Sequence, residues 1–187
     1  MRHPNILCRD KAILLIVDVQ ERFRSHILDF DNLTKNINVL VQSAALMDVP
    51  VVVTEQYPAG LGKTVSEIQA CLDRLDSYEY FEKSCFSAFE DEGLIGWFAG
   101  SRRKQVILTG IETHVCVNQT AHDLIQKGYQ VHLVSDAVSS RTAENRRIGM
   151  EKIATAGGVI SSVEMALFEM LTASGTELFK SVQSLVK

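Results

Sequence analysis

Residues Ala12-Ile13-Leu14-Leu15-Ile16-Val17 form an unbroken run of apolar, strand-forming side chains. Such a run predicts a parallel strand covered on both faces, since a half-exposed strand would alternate with polar residues. Gln105-Val106-Ile107-Leu108 repeats the pattern later in the chain. Between the two the apolar period lengthens. Leu33, Ile37, Leu40, Val41, Ala44 and Ala45 recur at helical spacing, with Asp31 or Asn32 as the expected cap. Residues 49–54 predict a second strand, with Pro50 tolerable at its start. Residues 64–76 predict a helix through Val65, Ile68, Leu72 and Leu75, and residues 78–81 a short third strand. Residues 90–103 predict a helix weakened by Gly96 and Gly100. Val117, Ala121, Leu124 and Ile125 mark a helix that ends at Gly128. A fifth strand over 129–134, a helix over 142–156 stopped by Gly157-Gly158, a sixth strand over 159–161 and one or two helices over 163–187 complete the chain. Strands alternating with helices predict the α/β class: a Rossmann-like, doubly wound, six-stranded, mostly parallel sheet in a three-layer α/β/α sandwich. Residues 1–187 show no repeat, linker or low-complexity segment, so one domain is expected.

In doubly wound sheets ligands bind beyond the strands' C-terminal ends, where the strand order reverses. With the order 3-2-1-4-5-6 that point lies between the first and fourth strands. Asp18 ends the first strand, Cys116 opens the helix after the fourth, and Lys83 follows the third. Taken singly, each has an ordinary alternative: a solvated strand end, a small buried core thiol, a surface ammonium. The topology brings all three to one edge. Cys116 falls in the first turn of its helix, with Thr113 as the expected N-cap, where free N–H groups and the helix dipole favour a thiolate and a developing oxyanion.

Composition narrows the class. The chain carries 22% charged and 46% hydrophobic residues and a net charge of −4, with no basic run, so nucleic acid is not an expected partner. Cys8, Cys71, Cys85 and Cys116 are scattered and form no CxxC, which argues against a zinc ribbon or disulfide framework and for a reducing compartment. No apolar run approaches membrane-spanning length and no signal-peptide pattern opens the chain, so a cytoplasmic location with no membrane partner is expected. Gly62-Lys63-Thr64 mimics the end of a P-loop, but Tyr57 stands where the motif needs its first glycine, and Pro58 offers no N–H. The segment 18–23 after the first strand contains no glycine, which removes a dinucleotide-dependent oxidoreductase from consideration.

Three segments carry a family resemblance: Leu15-Ile16-Val17-Asp18-Val19-Gln20, Glu82-Lys83-Ser84, and Gly110-Ile111-Glu112-Thr113-His114-Val115-Cys116-Val117. Together they resemble the isochorismatase-like cysteine hydrolases, relatives of nicotinamidases and N-carbamoylsarcosine amidases. The loop over 56–62 further resembles the isochorismatase domain-containing branch. The resemblance implies a catalytic triad of Asp18, Lys83 and Cys116 and a non-proline cis peptide at Ile111–Glu112. That bond would aim the Glu112 N–H, with that of Cys116, at an oxyanion. Isochorismatases proper carry a non-nucleophilic residue where Cys116 stands, so the thiol favours covalent attack on an amide carbonyl. Nicotinamidases bind a metal through an Asp and histidines after the second strand. Residues 54–60 hold no histidine, so neither a metal nor any other cofactor is expected.

The expected reaction is hydrolysis of a small amide through a thioester, with Asp18 as general base, Lys83 as its ion-pair partner, and the N–H groups of Glu112 and Cys116 as oxyanion donors. Phe23, Tyr57 and Phe86 are candidates to line the substrate pocket. His114 is two residues from Cys116 and faces away from it on a helix, and His122 and His132 lie further off, so no Cys–His pair is expected. A non-catalytic scaffold on the same fold and a hydrolase of small esters or thioesters remain the alternatives. Leu167, Phe168, Leu171, Leu178 and Phe179 exceed the apparent needs of a monomer, and with the family resemblance they point to a homo-oligomer, a dimer or larger.

Overall fold

A computed structural model describes residues 3–187. In chain order its elements are β1 (Ala12–Val17), α1 (Phe30–Leu46), β2 (Val51–Gln56), α2 (Pro58–Leu61), α3 (Ser66–Leu72), β3 (Glu79–Lys83), α4 (Glu92–Ser101), β4 (Gln105–Gly110), α5 (Cys116–Gln126), β5 (Gln130–Val138), α6 (Ala143–Thr155), β6 (Val159–Ser161), α7 (Val163–Leu171) and α8 (Glu177–Val186). The six strands of the described residues form one sheet in the order β3-β2-β1-β4-β5-β6. Every pairing is parallel. The expected order holds, and "mostly parallel" becomes wholly parallel. None of the described helices is long and apolar enough to cross a membrane.

The continuous apolar run of β1 is explained by two cores, one on each sheet face. Leu14, Ile16, Val51, Val53 and Ile107 pack beneath α1, α3, α7 and α8. Ile13, Leu15, Val17, Val52, Val106, Leu108 and Leu133 pack beneath α4, α5 and α6. All six residues of β1 are buried. Covering both faces makes this a three-layer sandwich.

Several boundaries differ from the sequence reading, and the reasons are local. Helix α1 begins at Phe30 rather than after Asp31 or Asn32. Its cap, Asp29, is left-handed (φ +52°) and gives the helix no side-chain bond, because its carboxylate accepts from the Asn32 amide instead. Helix α3 covers only 66–72, since Glu55 captures the Thr64 N–H and hydroxyl at 2.6 and 2.8 Å and holds that residue extended. A short 3-10 turn, Ala88–Glu90, precedes α4, which Asp91 caps. Strands β3 and β5 run longer than their apolar cores. Lys83 is therefore the last residue of β3, paired with Gln56 of β2, rather than a residue beyond the strand. The C-terminal segment is two helices.

Strands β1 and β4 are paired to their C-terminal ends, Val17 opposite Gly110. Gly110 sits at φ +109°, and a Cβ there would lie 2.1 Å from the Val17 carbonyl oxygen, so only glycine fits.

His132, the third residue of β5, is fully buried, and neither ring nitrogen has a hydrogen-bond partner. Burial pushes its pKa down to about 4. Between pH 6.5 and about 4 the unfolded chain binds a proton that the folded chain refuses, so stability is full above that window and falls as the pH drops through it. The loss approaches roughly 3 kcal/mol at the acid end. His132→Leu should leave stability at pH 7 unchanged or higher. It should also reduce the fall in Tm between pH 7 and 4.5 by roughly 5–10 °C. Parallel Tm-against-pH curves for the two proteins would exclude His132 as the cause.

Candidate active site

Three elements deliver the central groups. Asp18 directly follows β1 in a left-handed conformation (φ +55°), and its N–H donates to the Thr54 carbonyl at 3.1 Å. A non-glycine residue in this region is uncommon and recurs at functional sites. Strand β2 lies between β1 and β3, and the Lys83 side chain spans that gap. Its Nζ lies 2.6 Å from Asp18 Oδ2, with the lysine side chain 0% and the aspartate 2% exposed. The Thr54 hydroxyl donates to Asp18 Oδ1 at 2.7 Å. Cys116, the first residue of α5, brings its thiol near enough to the same carboxylate for each to shift the other's titration.

Burial pushes the Asp18 carboxyl above its usual range, while the charge and hydrogen bond of Lys83, and then Thr54 and the thiol, hold it back. Burial also pushes the Cys116 thiol up to about 12, reinforced by the negative charge of Asp18 and opposed by Lys83. The expectation of a lowered thiol pKa is thus reversed at rest. The helix start and Asp18 are both visible in the sequence, but the burial that raises the thiol is not. The resting arrangement is a thiol beside a carboxylate that an ammonium holds in place.

The loop before α5 is fixed by hydrogen bonds from two sides. The Ile111 N–H donates to the Val17 carbonyl at 2.9 Å, and the N–H groups of Val115 and Val117 converge on the Glu112 carbonyl. The Ile111–Glu112 peptide is cis. Thr113 does not cap the helix. Its N–H and its hydroxyl both donate to the Ser139 carbonyl at 2.9 Å, and no side chain caps α5. With Thr113 turned towards β5, the N–H groups of Glu112 and Cys116 donate to no acceptor among the described residues. Gly149 of α6 lies against this loop, where a Cβ would sit 2.9 Å from the Thr113 carbonyl oxygen.

The three histidines set aside from the sequence are occupied elsewhere. His114 pairs with the Ser140 hydroxyl at 3.1 Å, His122 with the Asn118 carbonyl at 2.7 Å, and His132 lies inside the sheet. Of the pocket candidates, Tyr57 and Phe86 are 62% and 56% exposed. Both flank Lys83 through their backbones: the Tyr57 N–H donates to the Lys83 carbonyl at 2.9 Å, and the Phe86 carbonyl accepts from Nζ at 3.2 Å. Phe23 packs against the core beneath α1.

Two groups of residues escaped the sequence reading. Gln56, assigned there to a loop, ends β2. Its Oε1 accepts from Lys83 Nζ at 2.7 Å, and its Nε2 donates to the Ser84 carbonyl at 2.7 Å. Gln20 brackets the Gln56 backbone, accepting from its N–H at 2.8 Å and donating to its carbonyl at 3.0 Å. Glu55 is also buried. Burial pushes its carboxyl up, but bonds from Tyr80, Thr64 and Lys63 outweigh this and hold it below its ordinary value. The available signal was a cluster of polar residues at a strand's C-terminal end, which pattern alone assigns to a loop.

The isochorismatase domain model matches residues 12–165, the span holding all of these residues. The secreted isochorismatase effector Isc1 of Phytophthora sojae is 44% identical over 177 residues, covering 94% of this chain and 84% of that protein. Isochorismatase domain-containing protein 1 of Danio rerio is 38% identical over 178 residues, covering 94% of this chain but 61% of that longer protein. A solved structure described as the MAR1 ribonuclease from Caenorhabditis elegans is 34% identical and superposes with a TM-score of 0.91, over 97% of this chain and 92% of the other. The chain belongs to the isochorismatase family of hydrolases.

Proposed function

We propose that this chain hydrolyses a small amide through a thioester on Cys116, with Asp18 and Lys83 completing the triad. The observation that carries the proposal is the buried Lys83–Asp18 pair beside the Cys116 thiol and two N–H groups that donate to no acceptor among the described residues. The Cys116 proton passes to Asp18, and the sulfur electron pair attacks the substrate carbonyl. The oxyanion formed is stabilised by the N–H groups of Glu112 and Cys116. As the C–N bond breaks, Asp18 returns the proton to the departing amine. Water then attacks the thioester, giving its proton to Asp18, and the acid leaves as the thiol re-forms. Lys83 stays charged throughout, offsetting negative charge on the sulfur while Asp18 is protonated.

The scaffold alternative is weakened by the chemistry of the site. A lysine with no exposed side-chain surface is costly to bury, and a chain with no use for its charge gains nothing by keeping it. The nematode structure's description attributes ribonuclease activity to that protein. In this chain the net charge of −4 and a nucleophile flanked by Asp18 and Glu112 disfavour a phosphodiester. The four free cysteines support the reducing, intracellular location expected from the sequence, although the Phytophthora relative is named as secreted.

We also propose a homo-oligomer. Leu167 is absorbed by the core, and Leu171 and Leu178 pack against it. Ile160, Met165 and Phe168 remain 40%, 51% and 37% exposed at the β6–α7 edge, with Phe168 stacked edge-on against Phe179.

Three outcomes are expected. Amine or ammonia release from a panel of small amides should fall at least about 10³-fold in Cys116→Ser, and a slow substrate should leave its acyl mass on the Cys116 peptide. Hydrolysis of esters alone, or full activity in the variant, rejects the amide-thioester proposal. Asp18→Asn removes the negative charge facing the sulfur but leaves the ammonium, so thiolate absorbance should appear well below pH 12 while turnover is lost. A thiol that titrates unchanged or higher contradicts the assigned electrostatics. Light scattering should report at least a dimer, and a monomer mass at working concentration removes the assembly proposal.

A further inference from the structure

We infer that Gln56 is a positioning residue for the triad, holding the Lys83 ammonium in place during the step in which Asp18 becomes protonated and can no longer hold it by charge. The inference rests on the catalytic proposal above and extends it to a residue outside the triad.

Lys83 Nζ has three protons and four oxygens within reach: Asp18 Oδ2 at 2.6 Å, Gln56 Oε1 at 2.7 Å, and the carbonyls of Cys85 and Phe86 at 3.2 Å each. Only Asp18 is charged. When it takes the thiol proton, the ion pair is lost just as the thiolate needs a nearby cation. The three neutral oxygens keep their dipoles on the ammonium, and Gln56 makes the shortest of those bonds and is the only side chain among them. Its carboxamide is fixed at both ends, since Nε2 is committed to the Ser84 carbonyl at 2.7 Å. Its backbone is clamped in turn by Gln20, two residues beyond Asp18. The Gln20 amide also reaches the Gly62 carbonyl at 2.6 Å. Two carboxamides therefore tie the end of β1 to the end of β3 across β2. A carboxamide suits this position because it accepts from the ammonium without adding charge. A carboxylate here would give Lys83 a second anion and disfavour negative charge on both Asp18 and the sulfur.

The test reads the charge chemistry without needing a substrate. Alkylation of Cys116 by iodoacetamide is followed against pH by peptide mass spectrometry in the full chain, with Cys8 and Cys71 as internal references. The proteins are wild type, Gln56→Met, Gln56→Glu and Lys83→Ala. Gln56→Met keeps the length and loses both bonds, so Cys116 alkylation near neutral pH should slow about tenfold. Gln56→Glu should move the whole profile to higher pH by about one unit, a displacement that loss of packing alone does not produce. If one variant fails to fold, judged by near-UV circular dichroism, the other still decides. Profiles of folded Gln56 variants that superimpose on wild type, while Lys83→Ala slows Cys116, overturn the inference and leave the catalytic proposal standing. If Lys83→Ala also leaves Cys116 unchanged, the catalytic proposal falls and this inference falls with it.

Discussion

The burial of Asp18 against Lys83 is the constraint on which the site depends. Withdrawing a carboxylate and an ammonium from water costs several kcal/mol per ion, and their attraction offsets this only when the remaining lone pairs and protons are also satisfied. The surroundings meet that demand group by group. Thr54 donates to the carboxylate oxygen that Lys83 leaves free, and a carboxamide and two carbonyls take up the other positions on the ammonium. Each of these partners must itself be placed. The left-handed turn at Asp18, the length of β3 and the clamp of Gln20 on Gln56 are all ways of placing them.

The same constraint shapes the electrostatics. A cysteine at a helix start is ordinarily acidic. Here desolvation and a nearby carboxylate reverse that tendency, so Cys116 is held as a thiol, and in the proposed reaction Asp18 beside it is the base. Such storage suits a free thiol, which is protected from oxidation and stray electrophiles while protonated. In the proposed reaction, activation depends on a proton passing from Cys116 to Asp18, with the Lys83 ammonium as the fixed reference charge.

Much of this was legible in the sequence because it rests on periodicity and order. The apolar runs of β1 and β4 reported burial on two faces, and the alternation of strands and helices fixed which ends share an edge. Asp18, Lys83 and Cys116 followed from that edge. What was not legible depends on side chains reaching across the fold. Thr113 looks like a cap in its local sequence, yet Ser139, 26 positions later, takes its hydroxyl. Gln56 looks like a loop residue because its partners, Gln20 and Lys83, lie 36 and 27 positions away. Lys83 looked like a residue beyond a strand because the exposed edge strand β3 has no apolar signature to mark its end.

The contact of Gly149 with the Thr113 carbonyl gives this architecture a mechanical asymmetry. On one flank Tyr57 and Phe86 face water and meet Lys83 through their backbones rather than their rings. On the other, α6 bears directly on the nucleophile loop, so a single added methyl at residue 149 becomes a displacement of Thr113 and His114, and through them of Cys116. The two flanks therefore tolerate change unequally: side chains near Lys83 stand in solvent, while position 149, packed on the loop before Cys116, has room for no side chain at all.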